Sequence, residues 1–205
     1  AAALRPLLHT PEQRLVGGAV LLHLGFLLGI GAHRLAFRRA RGAAPDLRLA
    51  LRTGGAAFLA VWPLLLLTAF LWENLLQACG LPVVKQEQVA MFEGLNSPAL
   101  RALFALFAGV IAPVNEELIF RAGLFRFCRG RMPRWLALLL PALLFGASHY
   151  TGSAGGWLTS LAPLVVLGVV FELAYERTGR IGTSIVAHAL YNIATMALLL
   201  LGIDL

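Results

Sequence analysis

Asn115-Glu116-Glu117-Leu118-Ile119-Phe120-Arg121 is the stretch on which the reading of this chain turns. It follows the apolar run Ala102–Val114 and precedes a cluster of arginines. Two adjacent carboxylates therefore sit inside a segment that otherwise reads as membrane-spanning. Ionisable groups at that depth are costly, so they mark a functional site or a tightly paired structural one. Successive helical residues are about 100° apart, so Glu116 and Glu117 point in different directions. Glu117 and Arg121 are four apart and can pair on one helix face. Glu116 needs another partner, and a carboxylate without an arginine suits a general base working near neutral pH. The structural alternative, a Glu–Arg network that only holds helices together, stays open on these residues alone.

The surroundings fix the class. The chain has 205 residues, 59% of them hydrophobic and 13% charged, with a mean hydropathy of +0.79. A soluble domain of this size is not that apolar. We read an all-α, polytopic transmembrane helical bundle of about six spans. The runs are Leu15–Leu35, Gly54–Leu71, then 99–125, 134–150, 157–175 and 181–203, each set against the ~30 Å that a helix must cross. Pro63 is expected to kink the second run, and Pro113 to open the third just before the glutamate pair. The segment Glu73–Leu100 reads as a connecting loop with one short helix.

The net charge of +7 is almost all arginine, Lys85 being the only lysine. No basic face carries interleaved exposed aromatics, so nucleic acid is not an expected partner. The arginines instead alternate between loops. Arg34, Arg38, Arg39, Arg41, Arg48 and Arg52 follow the first run, Arg126, Arg129, Arg131 and Arg134 the third, and Arg177 and Arg180 the fifth. The positive-inside rule puts these loops in the cytoplasm, against anionic headgroups. Cys79 and Cys128 then lie near opposite faces, without metal-ligand spacing, and are not expected to pair. No signal peptide is evident, and the opening Ala1-Ala2-Ala3 reads as a processed or shortened N-terminus.

Two further polar turns interrupt the apolar runs. Phe145-Gly146-Ala147-Ser148-His149 puts an aromatic ring one turn before an imidazole, where it can shield it. His188-Ala189-Leu190-Tyr191-Asn192 puts an imidazole and a carboxamide one turn apart, and buried groups of that kind need partners. Each motif alone fits helix–helix adhesion. Together, three spans hold a base, two imidazoles and an amide donor. That set suits water-activated amide hydrolysis, with a carboxylate and a histidine on the water and a histidine and an asparagine on the developing oxyanion. Counting 1.5 Å per residue from the arginine-rich ends places Glu116 roughly 15 Å deep, His188 roughly 10 Å and His149 roughly 22 Å.

In order along the chain, Glu116-Glu117-x-x-x-Arg121, Phe145-x-x-x-His149 and His188-x-x-x-Asn192 resemble the CAAX protease and bacteriocin-processing family of intramembrane endopeptidases, which includes the CAAX-prenyl endopeptidases. The resemblance covers about residues 99–203. It divides one membrane domain into residues 1–98, with spans and loops but no motif, and residues 99–205, the catalytic helical core. It implies that Glu116 is the catalytic base, Glu117 and Arg121 the supporting pair, and His149 a holder of the water. His188 and Asn192 would form the oxyanion site. The roles of the two glutamates could be exchanged. The resemblance favours a mechanism without cofactor; the alternative is Zn2+ held by Glu116, His149 and His188 with an open position. The implied partner is a peptide or protein substrate, lipid-modified or membrane-anchored, and the implied location a bacterial-type inner (plasma) membrane. The rival readings are a proton- or ion-coupled transporter, which would call for inverted repeats, and a non-catalytic membrane scaffold. Two other acids and bases stand apart. His23 reads as structural, and Glu172 as an acid paired with an arginine at the cytoplasmic edge.

Overall fold

The computed structural model describes residues 11–36, 46–150 and 154–203. Among these residues there are helices and turns but no strands. We number the helices α1 (Pro11–Ala36), α2 (Leu47–Ala78), α3 (Glu87–Gly94), α4 (Pro98–Arg129), α5 (Arg134–Ser148), α6 (Ala154–Thr178) and α7 (Ile181–Leu200). Four of them, α2, α4, α6 and α7, are long and apolar enough to cross a membrane. The 15 residues of α5 reach only about 22 Å, and α1 has the length but a shorter apolar window. The all-α bundle stands as expected, and seven helices are compatible with about six spans.

The element ends differ from the sequence reading in instructive ways. Arg48 and Arg52 belong to α2, not to a loop. Asp46 starts that helix early, its Oδ1 accepting from the Leu49 N–H at 3.0 Å, which satisfies one of the orphan donors of a helix start. Glu73 is also helical, because α2 runs unbroken through Pro63 to Ala78. It stops where Gly80 adopts φ 70° and the Leu81 N–H returns to the Leu76 carbonyl at 2.9 Å, a glycine-dependent helix stop. At 32 residues α2 is about 48 Å long, so it outreaches the hydrocarbon core. Arg38, Arg39 and Arg41 lie outside the described residues.

Buried helices need close approach as well as apolar faces. α2 packs along α6 and α7, and α5 along α6. A Cβ added at Gly54 would stand 2.6 Å from the Val186 Cβ, and one at Gly168 would stand 3.0 Å from Ala142. Small residues at such crossings let backbones meet. Gly54→Ala is accordingly expected to lower stability by about 1–3 kcal/mol through overpacking, read as a drop in the thermal midpoint of the detergent-solubilised protein.

Polar locks fix the same interfaces. The Thr53 and Thr183 hydroxyls meet at 2.8 Å. Trp72 Nε1 donates to the Leu158 carbonyl at 2.8 Å, and Trp157 Nε1 to the Gly146 carbonyl at 2.9 Å. Arg129 and Arg134 both reach Glu176, at 2.7 and 2.8 Å. The turns after α4 and after α6 therefore share one face of the bundle, as the charge alternation requires. The Val84 N–H meets Thr159 Oγ1 at 3.1 Å, so the connection after α2 and the start of α6 share the other.

The central core lies between α2, α5, α6 and α7. Val61, Leu65, Phe145, Leu167, Phe171 and Ala187 are all buried there. The functional candidates stand at its edge, where α4 closes against it.

Candidate active site

α4 is the helix that carries the glutamates, and it is not regular. Ser97 caps it, and Pro98 occupies its first turn. It widens into π-helical turns at Phe107–Ile111 and Leu118–Phe125, on either side of the short α-helical piece Ala112–Glu117. The first widened turn lies directly ahead of Pro113, which has no N–H to donate. One consequence can be traced atom by atom. The Ala112 N–H bonds the Phe107 carbonyl, and Pro113 has none to offer, so the Ala108 carbonyl receives neither of the two backbone donors nearest to it. Asn192 Nδ2, from α7, donates to that carbonyl at 2.7 Å. Helices widened in this way are frequent at functional sites.

The glutamates divide as their helical spacing demands. Glu117 is fully buried, with Oε1 accepting from the Arg121 guanidinium at 3.0 Å and from His188 Nδ1 at 2.8 Å. Glu116 keeps a quarter of its side chain exposed, and its Oε2 stands 3.6 Å from His188 Nε2. A single imidazole thus lies between the two carboxylates. Because Nδ1 donates its proton to Glu117, the other ring nitrogen is presented toward Glu116. This is the usual way a second carboxylate sets a histidine tautomer.

Arg121 is the largest fully buried side chain. Its second amino group donates to the Gly168 carbonyl of α6 at 3.1 Å. Its guanidinium lies 4.6 Å from the ring centre of Phe145 and 5.4 Å from that of Phe171, an arrangement that suits a planar, weakly hydrated cation. The buried Glu117–Arg121 pair therefore joins α4 to α6 and α7, on residues that the sequence marks at positions i and i+4.

Phe145 is the hub of the site. Its ring meets Phe120 at 5.3 Å, His149 at 4.7 Å and His188 at 5.9 Å. His149 ends α5, with Nδ1 2.8 Å from the Phe145 carbonyl. Of the six sequence candidates, Glu116, His188, Glu117 and Arg121 are linked in that order by successive contacts. His149 meets them through the Phe145 ring, and Asn192 meets α4 at Ala108.

Two participants carry no sequence signal. Phe171 packs against His188 at 5.0 Å and, with the Gly168 carbonyl, walls in Arg121; both lie in an ordinary apolar run. Asn115, fully buried beside the glutamates, donates to the His23 carbonyl of α1 at 3.0 Å. His23 thus joins α1 to α4 through its backbone. Glu172 corrects the expectation of an edge pair. It is fully buried, neither carboxylate oxygen has a hydrogen-bond partner among the described residues, and it feels the charges of Arg121 and Glu117. The arginines at the helix end go to Glu176 instead.

Among the described residues, no three His, Cys, Asp or Glu side chains are grouped as a metal site needs. His188 Nδ1 bonds Glu117 and His149 Nδ1 bonds the Phe145 carbonyl, contacts of a kind that also orient the imidazoles of metal sites.

With the site in place, the comparison with known proteins becomes informative. Residues 98–194 match the family model described as type II CAAX prenyl endopeptidase Rce1-like. The chain resembles that family. The Rce1-like segment opens on the first residue of α4 and closes two residues past Asn192, so it holds all six candidates. Curated relatives are bacterial. UPF0177 protein YbdI of Lactococcus lactis is 33% identical over 87 residues, 42% of this chain and 44% of its own length. An uncharacterized 24.3 kDa protein of Escherichia coli is 33% identical over 81 residues, 38% of this chain and 36% of that protein. An uncharacterized protein of Mycoplasma capricolum is 27% identical over 109 residues, 53% of this chain and 31% of that protein. The chain thus spans less than half the length of these relatives. No solved structure matches it significantly. The long apolar helices, with the Rce1-like match, make this an integral membrane protein.

Asn192→Ala separates structure from chemistry at one position. It leaves the Ala108 carbonyl unpaired, and an unsatisfied buried acceptor costs about 1–3 kcal/mol. The expected result is a lower unfolding midpoint in detergent for Asn192→Ala, with the loss confined to variants that cannot donate at Nδ2.

Proposed function

We propose that this protein is an intramembrane endopeptidase that hydrolyses a peptide bond in a membrane-associated or lipid-modified substrate, in a bacterial-type plasma membrane. The observation that carries the reading is the His188 imidazole, bonded at Nδ1 to Glu117 and facing Glu116 with Nε2. A separation of 3.6 Å is beyond a direct hydrogen bond. It suits two groups that both reach one water molecule lying beside them.

In this reading Glu116 takes a proton from a water molecule as its oxygen attacks the scissile carbonyl carbon. The carbonyl electron pair moves to oxygen. His188, acting as an imidazolium with protons on both ring nitrogens and balanced by the Glu117 carboxylate, and the second amide hydrogen of Asn192 meet the charge that develops there. Donors of this kind contribute about 2.7–4 kcal/mol each in other hydrolases. Glu116 then returns its proton to the amine nitrogen as the C–N bond breaks. His149 helps to hold the water, and Arg121 fixes Glu117, and through it the imidazole. Hydrolysis balances with water alone.

The test uses purified protein in liposomes with a panel of membrane-anchored peptides, with and without a strong chelator. Cleavage by the wild type, loss in His149→Ala and indifference to the chelator support the reading. Loss of activity with the chelator and its return with zinc overturn the metal-free mechanism. Absence of cleavage across a broad panel overturns the peptidase assignment itself.

A further inference from the structure

A second feature lies away from the glutamates, at the arginine-rich end of the bundle. The C-terminal ends of α4 and α6 flank a shallow, open cavity of about 350 Å³, lined by Phe125, Arg126, Arg129, Tyr175 and Glu176, with Gly130 and Gly179. The two aromatic rings pack edge to face at 6.2 Å and form one wall. Gly179, at φ 64°, and Gly130 turn the chain there without adding side chains that would fill the space.

The charges around this cavity do not cancel. Arg126, Arg129, Arg131 and Arg134, in and beside the turn after α4, stand by the Glu176 carboxylate. Glu176 is already shared by Arg129 and Arg134. The helix C-termini add roughly half a negative charge each. About two positive charges remain. Arg126 lines the cavity, is exposed, and forms no ion pair or side-chain hydrogen bond within the described residues. Beside it Phe127 and Trp135 are 52% and 65% exposed, which is how aromatic side chains mark a membrane–water boundary.

We propose that this cavity holds the phosphate headgroup of an anionic phospholipid, with Arg126 as its main anchor. The chemistry it recognises is a phosphodiester anion. Its place between two spanning helices, at an aromatic boundary, favours the lipid over free phosphate. Basic pockets between helices take such headgroups elsewhere. The inference does not depend on the peptidase reading.

The experiment reconstitutes the full chain in nanodiscs of phosphatidylcholine with a minor fraction of phosphatidylglycerol, and counts retained lipids by native mass spectrometry after mild delipidation. Wild type is expected to retain phosphatidylglycerol preferentially, and Arg126→Gln to retain it about five-fold less tightly. Arg48→Gln, an exposed arginine on another stretch, should behave as wild type. Because Arg126 is exposed and unpaired, its replacement leaves the fold intact, and Arg126→Glu should deepen the loss. Equal losses in Arg48→Gln and Arg126→Gln would reduce the effect to general surface charge and overturn the site. So would the absence of any lipid preference. Displacement of the lipid by low concentrations of inorganic phosphate would overturn the lipid as its source.

Discussion

Glu116→Gln is expected to remove peptide cleavage and leave the fold as it is. General-base catalysis contributes about 10²–10⁴-fold, so kcat should fall by that factor at unchanged protein stability. The structural grounds are specific. The Glu116 side chain is one quarter exposed and, among the described residues, pairs with no arginine and meets the one charged partner His188 at 3.6 Å. Its conversion to an amide breaks no buried ion pair, and substitutions of that kind shift stability by within about 0.5 kcal/mol. The contrast is Glu117→Gln, which weakens the pair with Arg121 and the bond from His188 together. That variant should lose both stability and activity. The measurement is initial rates on a membrane-anchored peptide, with thermal unfolding of the same samples. An active Glu116→Gln protein beside an inactive but folded Glu117→Gln protein would exchange the two roles.

Arg121→Met carries the second large effect, and it is on stability. Removing one partner of a buried pair leaves an uncompensated charge and costs about 3–5 kcal/mol. That is a large share of the roughly 5–15 kcal/mol that holds a typical domain folded. Here the loss is compounded. The guanidinium also ties α6 through the Gly168 carbonyl and fills the space between Phe145 and Phe171. Methionine restores part of the volume and none of the charge, and it leaves Glu117 beside Glu172, the second buried acid. The double variant Glu117→Gln/Arg121→Met should regain a good part of the loss, because both charges go together. Denaturant or thermal unfolding of wild type, both single variants and the double variant gives the coupling directly. Arg121→Lys should not rescue, since an ammonium cannot serve Glu117, a carbonyl and two ring faces at once. Additive effects in the cycle would mean that the pair is not what joins α4 to α6.

The local part of this site was legible because helical geometry is fixed by sequence spacing. Glu117 and Arg121 are four residues apart and pair at 3.0 Å. Phe145 and His149 are four apart, and their rings meet at 4.7 Å. The opposite directions of Glu116 and Glu117 follow from the same 100° step. Composition made the chain a membrane bundle, since runs this apolar have no other stable place for their side chains, and the arginine alternation put the turns after α4 and α6 on one face, where Glu176 joins them.

What links one helix to another is decided by packing, and no spacing encodes it. Counting residues set His188 and Glu116 roughly 5 Å apart in depth, yet the imidazole bridges both glutamates. Asn192 reads as an oxyanion donor, but the structure also gives it a carbonyl that Pro113 leaves unserved. Phe171 and Gly168 look like any apolar residues until α6 is laid against Arg121. Helix ends moved for the same reason: Asp46 and Gly80 set the length of α2 through hydrogen bonds that hydropathy does not register. The sequence by itself determined the material, a helical membrane chain with three polar turns in a fixed order. Tertiary structure alone decided which of those turns touch, because contacts between helices depend on crossing, close approach at glycines and unsatisfied backbone groups rather than on periodicity.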